Sequence, residues 1–131
     1  MKKRRLLLPA IVVIVLVFIF VIMMHMLNQK SNFTGNRIKN PDYYLLECQI
    51  MNGVDSHTIH MGEGDVLGVK ISVDKGRMSV AVGMEGEDSI YKSNEIESGE
   101  FEVKAQVGGD YLIKVNAHKF KGKVEFTLKQ K

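Results

Sequence analysis

The residues in this sequence that could take part in catalysis or metal binding are few and dispersed. His57 and His60 lie three residues apart within a short segment typical of a β-strand. In a strand this spacing places two side chains on opposite faces, which is the wrong geometry for chelating one metal ion. Glu85, Glu87 and Asp88 could bind Ca²⁺ through carboxylates, but we interpret them as solvated residues at the tip of a turn.

The sequence lacks the motifs of the common enzyme classes. It has no nucleophile elbow, Gly-rich phosphate loop, Ser-His-Asp order or zinc-ligand spacing. We therefore predict that the protein is not an enzyme, with no catalytic residue, no metal site and no cofactor. The single cysteine, Cys48, excludes an intrachain disulfide. Its place among alternating apolar residues predicts a buried thiol, and an exported domain without disulfides favours a bacterial source.

Three lysines near the last predicted hairpin, Lys119, Lys121 and Lys123, form the one candidate binding patch. Such a patch could bind an anionic partner such as a lipid or a cell-wall polymer. The alternative is that these lysines protect an edge strand against aggregation.

The excess of positive charge belongs to the N-terminus of the chain. Residues 2–5 are all basic, and without them the 14 remaining basic residues face 15 acidic ones. Residues 28–131 therefore carry a net charge of −1 and contain no basic stripe. We predict that the protein does not bind nucleic acid.

Residues 6–27 contain 22 residues without a charged side chain. As a helix this segment would be about 33 Å long, enough to cross a bilayer core of about 30 Å. We predict a transmembrane signal anchor that follows a cytoplasmic basic tail, residues 1–5, so that the C-terminal domain is extracytoplasmic. No A-x-A-like site follows the segment, although cleavage would instead give a secreted domain.

The remainder of the chain is predicted to be a linker, residues 28–41, and a β domain, residues 42–131. Apolar residues alternate with polar ones through the domain, and Gly-rich or Asp-rich turns interrupt them. The pattern predicts about eight short strands, at 44–50, 57–61, 67–73, 78–84, 90–91, 101–107, 111–117 and 124–128. We predict an all-β, antiparallel, jelly-roll-like sandwich, with a small barrel as the alternative.

Two segments of the domain carry a family resemblance. The sequences GDVLGVKI at 64–71 and GDYLIKV at 109–115, with Gly122 in the last predicted hairpin, resemble small exported β-sandwich modules. The most similar classes are the bacterial pre-peptidase C-terminal domains and the GOLD-like jelly rolls, and the likeness covers about residues 57–131. The resemblance implies a non-catalytic accessory or binding module.

Together these observations predict a single-pass cell-membrane protein with a non-enzymatic binding module outside the cytoplasm. Its partner would be an unidentified extracytoplasmic protein or glycan. The alternative is a structural accessory subunit whose helix pairs with a larger membrane complex. Pairing helices usually carry small-xxx-small or polar motifs, and residues 6–27 contain neither.

Overall fold

The computed structural model of the protein describes residues 2–28 and 32–129, with the side chains of the helix described for residues 9–24. Helix α1, Lys2–Asn28, and the β domain are separate compact units. The large apolar side chains of residues 11–24 are all exposed, by 44 to 67%. Among the described residues, no helix combines the length and the apolar character required to cross a membrane. The side chains of residues 2–5 and of His25 lie outside the described part.

Six strands form one continuous sheet, and every pair of neighbouring strands is antiparallel, as predicted. The strand order is β1-β2-β6-β3-β4, and β5 pairs with β3. The strands are β1 Asn32–Asn40, β2 Tyr43–Met61, β3 Val66–Gly83, β4 Tyr91–Ser93, β5 Gly99–Lys104 and β6 Gly109–Lys129.

The sheet becomes a sandwich because its three long strands, β2, β3 and β6, bend halfway along their length. The first halves of β2 and β3 and the second half of β6 form one layer together with β1 and β5. The other halves form the second layer together with β4. Buried side chains from both layers belong to a single core, so the predicted all-β sandwich architecture is confirmed.

The predicted number of about eight short strands is wrong, because six of the predicted strands are halves of three long ones. The sequence contains turn signals at Asn52-Gly53, Asp74-Lys75-Gly76 and Lys121-Gly122. In the structure these residues mark bends, at which each strand continues into the other layer. The register shifts at these points are β-bulges, which bend a strand and increase its twist without reversing the chain. A bulge and a turn use the same residue types, so the sequence pattern does not distinguish them.

The linker predicted at residues 28–41 also differs from the structure, because Asn32–Asn40 forms strand β1 along the edge of β2. β1 has no alternating apolar pattern, and most of its residues are exposed. Its main contribution to the core is the partly buried ring of Phe33. Backbone pairing with the apolar β2 therefore determines this strand, and its own side chains give little signal.

The predicted inward positions are mostly correct, with two exceptions beside irregular backbone. Tyr44, Leu46 and Cys48 are buried, whereas Ile50 and Val107, which were predicted to point inward, are 40% and 59% exposed. The bulge after Cys48 shifts the alternation by one residue and brings Met51 inward instead. Val107 follows the end of β5 and lies outside the regular strands.

The core position of Val80 gives a test of the fold. Val80 is 2% exposed and lies opposite Val115 on β6. We expect Val80→Asp to destabilise the domain by more than about 3 kcal/mol, because it buries a carboxylate without a partner. Chemical denaturation followed by circular dichroism measures this change. Leu112→Asp, on the outer face of β6, is the control and should cost little, so equal losses would contradict the assigned faces.

Candidate functional site

The bends of the three long strands lie side by side at one end of the β domain. β2 shifts register within 48–53 and β3 within 73–77, and both pair there with residues 117–122 of β6. The backbones approach closely at this point. Gly76 has φ of 75°, and a Cβ built on it would lie 2.0 Å from the carbonyl oxygen of Lys119. The tight bend therefore requires glycine at this position.

Basic side chains converge on these bends. The register places Lys75 of β3 directly opposite Lys121 of β6, and Arg77 directly opposite His118. Lys119, with φ of 48°, lies against Gly76. All of these charged side chains are exposed. We call this surface the basic crease and define it by Lys75, Arg77, Lys119 and Lys121.

The basic crease has no ion-pair partner among the residues that the structure describes. In the described part of the chain, no ion pair involves Lys75, Arg77, Lys119 or Lys121. Like charges directly opposite each other on neighbouring strands destabilise a sheet. The opposed Lys75 and Lys121 are therefore an unfavourable pair for the stability of the sheet.

The structure separates the three lysines that the sequence analysis grouped. Lys119 and Lys121 belong to the basic crease, whereas Lys123 lies one step further along β6, opposite Glu47. Its Nζ atom is 3.6 Å from Oε2 of Glu125. Lys123 is therefore already paired with the carboxylate of Glu125. Lys75 and Arg77 take its place in the crease, and the sequence pattern does not reveal them because only the strand pairing brings them to β6.

The position of Lys119 and Lys121 in the sheet excludes the alternative that they protect an edge strand against aggregation. β6 pairs with β2 on one side and with β3 on the other, so it is the central strand. It has no free edge for another chain to extend at these residues. Lys119 and Lys121, which lie on β6, therefore do not protect an edge strand.

The side chain of Asn52 connects the crease to the beginning of β1. Its Oδ1 atom accepts a hydrogen bond from the backbone N–H of Lys119 at 2.8 Å. Its Nδ2 atom donates to Oδ1 of Asn32 at 3.0 Å. The first residue of β1 and the basic crease are therefore at the same end of the domain.

A second polar cluster lies where β1 meets the second half of β2. The carboxylate of Asp55 accepts a short hydrogen bond from the hydroxyl of Tyr44. Lys39 Nζ and Arg37 Nε lie 3.3 and 3.6 Å from the same carboxylate. Burial, with the hydrogen bond to Asp55, raises the pKa of Tyr44 well above its ordinary value. The hydroxyl therefore stays protonated, and the cluster joins β1 to β2 across the edge of the sandwich.

The two histidines point to opposite faces, as the strand spacing predicted. His57 packs on the ring of Tyr44, with centroids 5.2 Å apart, and its Nε2 atom is 2.6 Å from the carbonyl oxygen of Asn40. His60 is exposed on the outer face, where its Nδ1 atom lies 2.8 Å from Oδ1 of Asp110. Within residues 2–28 and 32–129, no three His, Cys, Asp or Glu side chains form a group that could bind a metal ion.

The thiol of Cys48 is 5% exposed and packs against the sulfur of Met51 at 3.9 Å. Burial raises its pKa from 9.0 to about 11, and the nearby Arg37 offsets part of this effect. Because the thiolate is the nucleophilic form, the buried thiol is unreactive near neutral pH. This agrees with the predicted role of Cys48 as a small apolar residue.

The raised pKa gives a pH-dependent test. Native Cys48 should react with iodoacetamide at pH 8 about 100-fold more slowly than the same cysteine in the unfolded chain. The reason is that a pKa of about 11, in place of 9.0, lowers the thiolate fraction by that factor. Because the folded thiol has the higher pKa, its contribution to stability is present below pH 9 and is lost as the pH rises towards 11. Cys48→Ala is the control and should remove this component, whereas equal labelling of native and unfolded chains would contradict burial.

A shallow groove of about 270 Å³ lies on the outer face of the first layer, above Gly68. Phe101 lines it, together with two lysines and two glutamates, Lys70, Lys129, Glu100 and Glu102. Lys129 and Glu102 are 3.5 Å apart. The groove has balanced charges, so it offers a ligand less electrostatic attraction than the basic crease does.

Comparison with known proteins gives structural neighbours only. No family model matches the chain, and no curated protein matches it. The chain is similar to PliG of Aeromonas hydrophila, a periplasmic inhibitor of g-type lysozyme, at 16% identity and a TM-score of 0.49, covering 75% of this chain and 92% of PliG. It is also similar to a mutant of the Escherichia coli PliG at 20% identity and a TM-score of 0.43, covering 75% and 94%.

A further similar structure is the pre-peptidase C-terminal domain of a Bacillus anthracis collagenase. The identity is 14%, the TM-score is 0.47, and the match covers 76% of this chain and 99% of that domain. This is one of the two classes that the sequence resembles. The resemblance to a small β-sandwich module agrees with the two-layer β architecture described above.

Proposed function

We propose that this chain is a single-span membrane protein whose β domain lies outside the cytoplasm and acts by binding an anionic partner, without catalysis. The observation that carries the proposal is the basic crease. Its four exposed cations, on strands β3 and β6, have no ion-pair partner within the described residues. A domain that retains a like-charge pair loses stability unless a ligand compensates for it. The partner is a protein, glycan or other surface that carries negative charge.

The membrane anchor is supported by the amino-acid sequence. The uncharged run extends over residues 6–27, whereas the side chains described in α1 are those of residues 9–24. Those side chains are apolar on every side of the helix, which suits lipid better than a soluble core. The four basic residues before the run favour a cytoplasmic N-terminus.

Absence of catalysis is supported by the surroundings of the polar side chains. The hydroxyl of Tyr44 and the thiol of Cys48 both have a raised pKa, which keeps them protonated and poorly nucleophilic. Asp55 already accepts hydrogen bonds from Tyr44 and Lys39 and forms an ion pair with Arg37, so it has little capacity left to act as a general base. These groups stabilise the sandwich.

The topology is tested by protease treatment of intact cells. We expect the β domain to be cleaved from outside and the N-terminal fragment to stay with the membrane through an alkaline wash. Mass spectrometry of the membrane-bound product before treatment should give a chain that begins before residue 6. A mature chain that begins after residue 27, or a β domain protected from protease, would contradict the proposal.

Binding by the crease is tested with the full chain in non-ionic detergent on an immobilised polyanion such as heparin. The double variant Lys75→Gln/Lys121→Gln should elute at clearly lower salt, because two unpaired cations are removed. Its thermal midpoint should not fall, because the like-charge pair is also removed.

The matched control is Lys92→Gln/Lys104→Gln, which removes the same charge from exposed positions outside the crease. A control that loses as much affinity as the crease variant would show a nonspecific charge effect and refute the site. His57→Ala/His60→Ala should leave elution unchanged, and a loss of binding there would assign the site to the histidines instead.

A further inference from the structure

We infer that the partner of the basic crease is the layer of anionic phospholipid headgroups of the same membrane that anchors the chain. The inference rests on the proposed function, since it requires the span and its exported domain. It adds the identity of the ligand, a phosphate-bearing lipid surface, and the face of the domain that meets it.

The first argument is the position of the crease relative to the point where the chain enters the domain. Asn52 bonds both to Asn32, the first residue of β1, and to the backbone of Lys119 in the crease. Only four residues separate Leu27, the last residue of the apolar run, from Asn32. Fully extended, this stretch spans at most about 18 Å. In an anchored chain the crease therefore stays close to the headgroups.

The second argument is the distribution of charge along the domain. β1 begins at Asn32 beside the crease and ends at Asn40, and the strand extends over about 26 Å. The second-layer halves of the three long strands run from the bends to Met61, Gly83 and Gly109, which are therefore the ends furthest from the crease. The loops that follow Met61 and Gly83, together with the start of β6, carry exposed acidic side chains: Glu63, Glu85, Glu87, Asp88 and Asp110. Exposed lysines lie at the far ends of β1, β5 and β6, at Lys39, Lys104 and Lys129. An anionic membrane would attract the crease and repel the acidic loops that follow Met61 and Gly83.

The third argument is that the chemistry of the crease fits a phosphate surface. Lys75 and Lys121 lie side by side without an ion-pair partner among the described residues, and a lipid phosphate is a compact anion that can interact with both. Asp74 and Glu95 are the neighbouring carboxylates, and neither forms an ion pair with the crease among the described residues. A basic residue close to an anionic membrane strengthens binding by about fivefold.

The experiment measures the approach of the domain to the bilayer. The full chain is reconstituted into vesicles of phosphatidylcholine alone or of phosphatidylcholine mixed with phosphatidylglycerol, both containing a dansyl-labelled headgroup lipid as energy acceptor. The chain contains no tryptophan, so one introduced indole is a unique donor. Val54→Trp places it beside the bend of β2, at an exposed position. Ser89→Trp places it in the loop beyond Gly83, at the opposite end.

We expect phosphatidylglycerol to increase energy transfer from the Val54→Trp reporter and not from the Ser89→Trp reporter. High salt should reverse the increase. In the Val54→Trp background, Lys75→Gln/Lys121→Gln should weaken docking by about 25-fold, fivefold for each charge, whereas Lys92→Gln/Lys104→Gln should not. Each variant is first checked for an unchanged circular dichroism spectrum.

Equal transfer in the two lipid mixtures, an equal response of both reporters, or no effect of the crease variant would each overturn the inference. If these results occur while the chain resists alkaline extraction and the crease still binds heparin, the proposed function stands and its partner is a soluble polyanion. Release of the chain from the vesicles by an alkaline wash would refute the membrane anchor, and the lipid inference with it.

Discussion

The structure depends on one constraint: three strands are long enough to belong to both layers, and all three must bend at the same level. If one of them bent a residue earlier or later, its apolar side chains would point outward in one of the two layers. The bulges in β2 and β3 pair with residues 117–122 of β6, which keeps the bends in line. Gly76 and Gly122 allow the close backbone contacts that this alignment requires.

The charged surface follows from the same geometry. At a bend the backbone is irregular and its side chains turn towards solvent, so these positions tolerate charge. Residues that are distant in sequence, such as Lys75 and Lys121, become direct neighbours there. The surface that we assign to binding is therefore a product of strand pairing, and the stability of the fold does not require it.

The sequence predicts the class of fold and much of the core, because the alternation of apolar residues follows directly from the pleat of a strand. Tyr44, Val80 and Ile113 are all buried as the pattern indicates. The sequence does not predict the path of the chain, since a glycine in a bulge resembles a glycine in a turn. It also does not reveal β1, whose pairing depends on its neighbour, or the contribution of Arg77 to the crease, which depends on a register that cannot be seen along one chain.

The place of β6 in the sheet also affects when the domain can form. β2 and β3 do not pair with each other, because both pair with β6, which spans residues 109–129. Until those residues have been synthesised, the preceding strands lack the central partner of both layers. The pairings that complete the sandwich join residues 43–61 and 66–83 to this late segment, so they are distant in sequence and slow to form. The complete sandwich therefore forms only after nearly the whole chain has been synthesised.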